Sequence, residues 1–478
     1  MTVGLRRARG AALALAASCI LGPRPAAAQE TFPADVRFGG TFTARTDADL
    51  QHDRAGEDIA ETRVRLDLEM AARLSPTTST LISGRLTHQS ATPAWDFDGA
   101  RYGHEVELRE ARLSWQGPDV SLDVGNLFLR WGTIDSNSPT DVLNPQDLRD
   151  PAPVSFEAPL VPIPAARLQA APGDFTFELD VVPFFEPHRA AMFGTDWAPT
   201  SPTAGDPTTG ALVGQVGLAF SRAAQEDIQP ALLAPQPPDE SPRNVSVGTR
   251  VGWHGPGVDV HLAATHGWDR IPALTFDPDV LALLDAARRN DLGALAVGYG
   301  KVQPRLAAGE PLFTSEYSRL NLIGGDLAWA VGDFVVKAEA AFSFARTLYR
   351  EDFTPRRTGS LTWAGGVDYM PDEDLAVTVE VWGLRPLDRG PWLYIGQHLF
   401  EAVGHAQVTV LKEVLFADLT AEAGLFRHDL TLSPALRWVP ADGHALTAGV
   451  YVLSGDAGTL GGLYDANDAA FLRYTAGF

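Results

Sequence analysis

Apolar and polar residues alternate with a period of two in one segment of this chain after another. From residue 61 to 74, Val64, Leu66, Leu68, Met70, Ala72 and Leu74 share one face, while Arg63, Arg65, Asp67, Glu69 and Arg73 share the other. Phe175, Phe177, Leu179 and Val181 alternate with Thr176, Glu178 and Asp180. Val336, Ala338, Ala340, Phe342 and Phe344 do so with Lys337, Glu339 and Ser343, and Leu375, Val377, Val379 and Val381 with Thr378, Glu380 and Trp382. Successive side chains on a strand point to opposite faces, so each segment reads as a strand with one apolar and one polar face. Segments of roughly ten such residues, separated by turns, form the pattern of a transmembrane β-barrel. The apolar faces then meet outer-membrane lipid, and the charged faces line the lumen.

Turns set the strand count. Eight tight ones fall at 75–78, 117–119, 171–174, 255–257, 332–333, 371–374, 412–414 and 440–443. Most contain Gly, Pro or Asp, residues that preset turn dihedrals. Between them lie mostly longer polar stretches, as expected for a barrel with short turns at one end and long loops at the other. Eight hairpins, a first strand near 36–45 and a last near 470–478 give an all-β antiparallel barrel of about 18 strands, with 16 as the alternative. An even number places both termini on the periplasmic side. Residues 211–220, ALVGQVGLAF, are apolar enough for a strand but would break this parity. They are assigned to the outer loop 186–243, as a helix or an inserted strand. Asp277-Pro278-Asp279 ahead of VLALLDAARRN supplies an N-cap, a proline at the first helical position and apolar spacing. It predicts a short helix in an outer loop.

The N-terminus predicts export. Arg6, Arg7 and Arg9 precede an apolar run over 11–21, followed by Pro23, Pro25 and the small residues Ala26, Ala27 and Ala28. This is the order of a signal peptide over 1–28, leaving 29–478 as one barrel domain. Its apolar run is too short for a membrane helix, and no later stretch approaches 18 apolar residues. Cys19 is the one cysteine, so the exported chain has neither disulfide nor thiol site. It keeps 34 Lys and Arg against 60 Asp and Glu, a balance that argues against nucleic acid as a partner. About seven residues separate the cleavage site from the first strand, too few for a plug domain. The chain ends AFLRYTAGF, with Tyr474, Leu472 and Ala470 on one face and Phe478 terminal. That resembles the terminal aromatic signal of proteins inserted by the bacterial barrel-assembly machinery; Tyr474 and Phe478 are its candidate residues.

One loop stands out. After the strand 120–129 the chain passes through Trp131-Gly132 into TIDSNSPTDVLNPQDLRD. Trp131 is expected where the strand meets the lipid headgroups, because Trp and Tyr concentrate there. Proline fixes φ, and Asn and Asp side chains bond nearby backbone, so a loop so punctuated holds one shape. In a barrel of 16 to 18 strands the lumen is wide enough for water. Folded inward, the loop 131–162 would narrow it, with Asp135, Asp141, Asn144, Asp147 and Arg149 as its candidate residues. The alternative is a loop that only caps the rim. Here the sequence resembles a family of large bacterial outer-membrane barrels of unassigned function, akin in architecture to alginate-export and aromatic-hydrocarbon porins. The resemblance is carried by Gly125, Trp131, Gly132, Asp141, Asn144, Pro145, Asp147 and Leu148, which match Trp-Gly followed by Asp-x-x-Asn-Pro-x-Asp-Leu. Leu127 departs from the glutamine the family has there. The stretches 183–189 and 194–197 also look like those of the family. The resemblance implies a porin-like barrel and is silent on the solute.

Other chemistry is scarce. The chain has no Gly-x-Ser-x-Gly, His-Glu-x-x-His, phosphate loop or Cys/His metal spacing. No metal, cofactor or catalytic residue is assigned. Asp47, Asp49, Asp53, Glu57 and Asp58 read as a solvated acidic loop. His188 with Asp196, and His266 with Asp269, have no nucleophile placed with them. The chain is therefore read as a non-enzymatic channel for passive passage of a small or oligomeric solute. Charges of both signs in the lumen would set its selectivity: Arg63, Arg65, Asp67, Glu69, Arg73, Glu110, Arg112, Lys337, Glu339, Asp368, Glu380 and Arg437. The alternative is a surface scaffold, an adhesin or receptor whose outer loops bind a partner.

Overall fold

A computed structural model describes residues 35–50, 61–90, 103–149, 159–190 and 237–478, the last without 290, 309, 311, 393–394, 396–397 and 457–458. The expected signal peptide, Asp53, Glu57, Asp58, the stretch 194–197 with Asp196, and the segment 211–220 lie outside the described residues.

Eighteen strands close one antiparallel ring. The first five are β1 (Asp35–Asp49), β2 (Glu61–Ser75), β3 (Thr78–Ser90), β4 (Gly103–Gln116) and β5 (Val120–Leu127). A two-residue β6 (Asp147–Leu148) lies outside the ring, which continues through β7 (Ile163–Ala170) and β8 (Phe175–Val182). Another short piece, β9 (Arg189–Ala190), pairs in parallel with β6. Then come β10 (Ser246–Gly255), β11 (Val258–Trp268) and a separate two-stranded sheet, β12 (Ala273–Phe276) with β13 (Phe313–Glu316). The remaining ring strands are β14 (Arg319–Val331), β15 (Phe334–Tyr349), β16 (Pro355–Asp372), β17 (Leu375–Pro386) and β18 (Leu399–Leu411), followed by β19 (Leu415–Gly424), β20 (Asp429–Ala441), β21 (His444–Gly455) and β22 (Ala469–Gly477). All eight tight turns read from the sequence join neighbouring strands at one end of the barrel. Without the segment 211–220 the ring closes at 18, since β22 pairs back onto β1, from Thr41↔Gly477 to Asp49↔Ala469.

Alternation decides which face each residue takes. On β8, Phe175, Phe177 and Leu179 are exposed while Asp180 and Val182 are buried. On β15, Ala338 and Ala340 are exposed between buried Lys337, Glu339 and Ala341. Phe38, Leu68, Val106, Leu262, Ile323, Val379, Leu436 and Leu472 extend the exposed apolar face around the ring. A contiguous apolar outer band of this kind belongs to a barrel that spans a bilayer. Trp115, Trp253, Trp329 and Trp438 stand on that face within a few residues of the tight turns, where an aromatic girdle is expected. No helix among the described residues is long and apolar enough to cross a membrane.

Helix α1 (Pro278–Arg288) forms where the sequence placed it, and the Asp277 carboxylate accepts from the backbone N–H of Asp279 at 2.9 Å. A second helix, α2 (Leu292–Ala307), was not expected. Gly293, Gly298, Gly300 and Pro304 weaken its intrinsic propensity. Packing supplies what propensity lacks: Leu295 and Val302 bury against Val280, Leu283 and Ala286 of α1. Arg305 then bonds Asp277 and Asp279 at 2.9–3.0 Å. One last short helix, α3 (Leu460–Leu463), lies between β21 and β22.

The terminal residue extends the seam. Phe478 N–H donates to Gly40 O at 3.0 Å and Phe478 O accepts from Gly40 N–H at 2.9 Å, while its side chain stays largely exposed. Tyr474 Oη lies 2.8 Å from His444 Nδ1. Two backbone bonds are worth about 0.5–1.5 kcal/mol each, small against a closed ladder of 18 strands. Deleting Phe478 should therefore leave refolding in detergent nearly intact and lower outer-membrane levels in cells. Wild-type levels in cells would remove the terminal signal.

Candidate functional site

The loop between β5 and β7 does not stay at the rim. β17 lies eight strands further round the ring than β5, close to the opposite wall. The loop nevertheless bonds to side chains midway along β15 and β17. Glu339, sixth residue of β15, accepts from Thr140 N–H and Thr140 Oγ1 at 2.7 Å, from Ser138 Oγ at 2.5 Å and from Thr133 N–H at 3.2 Å. Glu380, sixth residue of β17, accepts from Asp135 N–H and Ser136 N–H at 3.0 Å and from Ser136 Oγ at 2.6 Å. Lys337 Nζ ties the two sides together, lying 2.7 Å from Asp135 of the loop and 3.0 Å from both Asp368 and Glu380 of the wall. Lys337, Glu339 and Glu380 are buried, and they alternate with residues of the exposed outer face. The face that holds the loop is thus the inner one.

Asn144 fixes the root of the loop. Its Oδ1 accepts from Leu129 N–H at 2.7 Å, and its Nδ2 donates to Val161 O at 2.6 Å and Leu127 O at 3.3 Å. One buried amide therefore binds both stems of the loop. This satisfies backbone groups that would otherwise be buried without partners. Leu127, Leu129, Trp131, Leu143, Ile163, Ala165, Val182 and Ala263 pack into one apolar cluster behind it.

Trp131 corrects the sequence reading. It does not reach the headgroup zone. It is 1% exposed, and its Nε1 donates to Glu178 Oε1 of β8 at 2.6 Å. A Cβ on Gly248 would lie 2.6 Å from the indole, so the wall keeps a glycine where the ring seats. The strand's own parity carries the missed signal. Val120 and Leu122 are on the exposed face of β5, which puts odd-numbered Leu127 on the inner face, in phase with Leu129 and Trp131.

The other loop candidates separate into three environments. Asp135 is about half exposed at the loop's far end. Asp147 and Arg149 pair with each other at 2.7 Å; Arg149 also reaches Glu105 of β4, and Asp147 lies near Arg189, which pairs with Glu107. Arg149 holds the Asp147 carboxyl below its usual range, against the opposing effect of burial. Asp141, within the loop, has its Oδ1 buried and unpartnered. Burial pushes it up to about 7, while the Trp131 backbone and Arg130 oppose that rise. A carboxyl whose folded pKa is raised favours the docked loop at low pH, and that contribution is lost as pH rises from about 4 through about 7. Single-channel current should accordingly be steadier at pH 5 than at pH 8, and Asp141→Asn should remove the difference. Equal noise at both pH values in the unmodified protein would rule this out.

Of the twelve wall charges singled out from the sequence, Lys337, Glu339, Asp368 and Glu380 are gathered under the loop. The remaining eight stand on β2, β4 and β20. Asp67 pairs with Arg85 at 2.6 Å, Glu110 with Arg112 at 3.7 Å and Arg437 with Asp418 at 3.6 Å. Glu69 and Arg73 are exposed, and Arg63 and Arg65 are intermediate and have partners. Sequence reasoning missed Ser136, Ser138 and Thr140, whose hydroxyls clamp the wall carboxylates, and Glu178, which receives Trp131. His188 Nδ1 accepts from Gln146 N–H at 2.7 Å and His266 Nδ1 lies 2.6 Å from Asn321, so both serve loop and wall structure.

No protein-family model and no curated protein matches the chain. Solved structures similar in overall form include Acinetobacter baumannii OccAB4, 9% identical over 94% of this chain and 98% of that one, with a TM-score of 0.49. Salmonella typhi OmpF, in complex with daunomycin, is 9% identical over 93% and 97%, at 0.41. A mutant of the Rhodopseudomonas blastica porin is 11% identical over 93% and 100%, at 0.40.

Proposed function

We propose that the chain is an outer-membrane channel through which a small or oligomeric solute passes passively, with the loop 131–162 narrowing the lumen. The observation that carries this reading is the capture of loop backbone by Glu339 and Glu380 midway along the far wall. A loop anchored there divides the interior and leaves the passage along the wall from β18 round to β4. That wall carries Arg63, Arg65, Asp67, Glu69, Arg73, Glu110, Arg112 and Arg437, whose opposite charges would set selectivity at close quarters. The apolar outer band provides the lipid-facing surface. With export through residues 1–28, the tight turns face the periplasm and the long loops the outside. The surface-scaffold alternative gains no observation of its own.

Planar-bilayer recording tests the proposal. The purified chain should give discrete open-channel steps. Replacing residues 137–150 by a short Gly/Ser linker should leave the barrel assembled, raise single-channel conductance and weaken discrimination between cations and anions. Absence of steps from folded protein would sink the channel reading. Steps unchanged by loop replacement would place the restriction elsewhere.

A further inference from the structure

A second group of polar side chains lies on the inner face nearer the tight turns. Thr176 of β8, Gly252 of β10, His261 of β11 and Asp326 of β14 form one cross-strand row. Two residues along β10 from Gly252, His254 faces the same side, opposite Asp259. Gly252 lets the side chains on either side of it close in: a Cβ there would collide with Thr176 Oγ1 and lie 2.9 Å from His261 Nε2. His254 Nε2 reaches the same hydroxyl, 3.1 Å from Thr176 Oγ1.

Both imidazoles are oriented from behind. His254 Nδ1 lies 2.7 Å from Asp259 Oδ1, and His261 Nδ1 lies 2.8 Å from Asp326 Oδ1. Carboxylates accept and do not donate, so each Nδ1 carries a hydrogen, and in the neutral imidazole each Nε2 keeps its lone pair. Arg250 Nη2 donates to both oxygens of the fully buried Asp326 at 2.9 Å, fixing that carboxylate in turn. Among the described residues His261 Nε2 has no hydrogen-bond partner, and His254 Nε2 meets only the Thr176 hydroxyl. The ring centroids are 5.3 Å apart with planes at 70°. Two imidazoles sharing one tetrahedral ion at about 2.0–2.1 Å through Nε2 have ring centres roughly 5 Å apart. A carboxylate at Nδ1 behind each ring, with Nε2 turned the other way, is the arrangement by which proteins present histidine to a metal.

We propose that Thr176, His254 and His261 form a site for a divalent transition-metal ion of the zinc or copper class, with the two Nε2 atoms as ligands and Asp259 and Asp326 orienting them. Among the described residues no group of three His, Cys, Asp or Glu side chains gathers around an ion. The hydroxyl and water therefore complete the shell. The His254 side chain is 40% exposed, so the ion enters from solvent and leaves readily.

The test uses the full exported chain in detergent, without a histidine tag, its fold checked by resistance of the barrel to unfolding at room temperature in SDS. Cu²⁺ should bind at one equivalent with an electron paramagnetic resonance signal split by two imidazole nitrogens, and Zn²⁺ should compete for it. His254→Gln or His261→Gln should abolish this signal. Asp259→Asn, an exposed change that spares the fold, should lower affinity roughly 10–100-fold while keeping both nitrogens. Changing His88 and His104 to Gln, a stacked pair near the opposite end of the barrel, should leave binding unchanged. One-equivalent binding that survives the His254→Gln/His261→Gln double change, or failure of folded protein to bind Cu²⁺ or Zn²⁺, would overturn the proposal.

Discussion

Leu68→Arg should cost about 2–4 kcal/mol of stability in a bilayer, the range for a cation on the lipid face near the midplane. Leu68 is the eighth of fifteen residues in β2, 43% exposed on the apolar face. Its cross-strand neighbours are Gly40 and Gly84, so no side chain directly beside it offers a partner. Arg65 has the opposite parity and is one of the proposed lumen charges. Arg65→Ala should insert well and change conductance or ion selectivity instead. Urea titration in lipid vesicles measures the first effect and bilayer recording the second. If Leu68→Arg folds with unchanged stability while Arg65→Ala fails to insert, the two faces have been assigned the wrong way round.

The strands were legible because a barrel strand states its own geometry locally. Alternation gives the face, and residues such as Gly255-Pro256-Gly257 or Pro371 with Asp372 and Asp374 give the turn. Each hairpin is a short-range object, and so all eight could be read. The loop anchors are of another kind. Glu339 and Thr140 are 199 residues apart, and Glu380 and Ser136 are 244 apart. In the sequence both glutamates look like any other polar residue of an alternating strand. That they accept loop N–H groups depends on which wall the loop reaches, and ring closure decides that. Trp131 was misread for a related reason. A tryptophan just past a strand suggests the headgroup zone, but here the inner parity of β5 continues through Leu129 into the loop. Asn144 shows the reverse: its turn-forming character pointed to a loop of one shape, and its amide does tie the two stems together. Helix α2 escaped because its stability comes from packing on α1, which the Gly- and Pro-containing sequence does not announce.

Lys337→Met should be the most damaging change at the loop. The ammonium is 4% exposed and lies within 3.0 Å of Asp368 and Glu380 of the wall as well as Asp135 of the loop. Removing one partner of a buried ionic group costs about 3–5 kcal/mol, because the remaining charges are left uncompensated. The loop can relieve that strain more easily than the strands, whose backbone bonds are held by neighbours on both sides. Release of Asp135 and hydration of Glu380 should therefore precede barrel unfolding, and open-channel current should rise and fluctuate. Adding Glu380→Met to Lys337→Met separates stability from gating. The double change removes a buried charge of each sign, so it should recover much of the lost stability. It also takes away the acceptor for the backbone N–H groups of Asp135 and Ser136, so current should stay high. Urea midpoints and single-channel conductance, measured on both variants, check the two expectations independently. Unchanged midpoint and current in Lys337→Met would show that this lysine does not hold the loop in the bilayer-embedded protein.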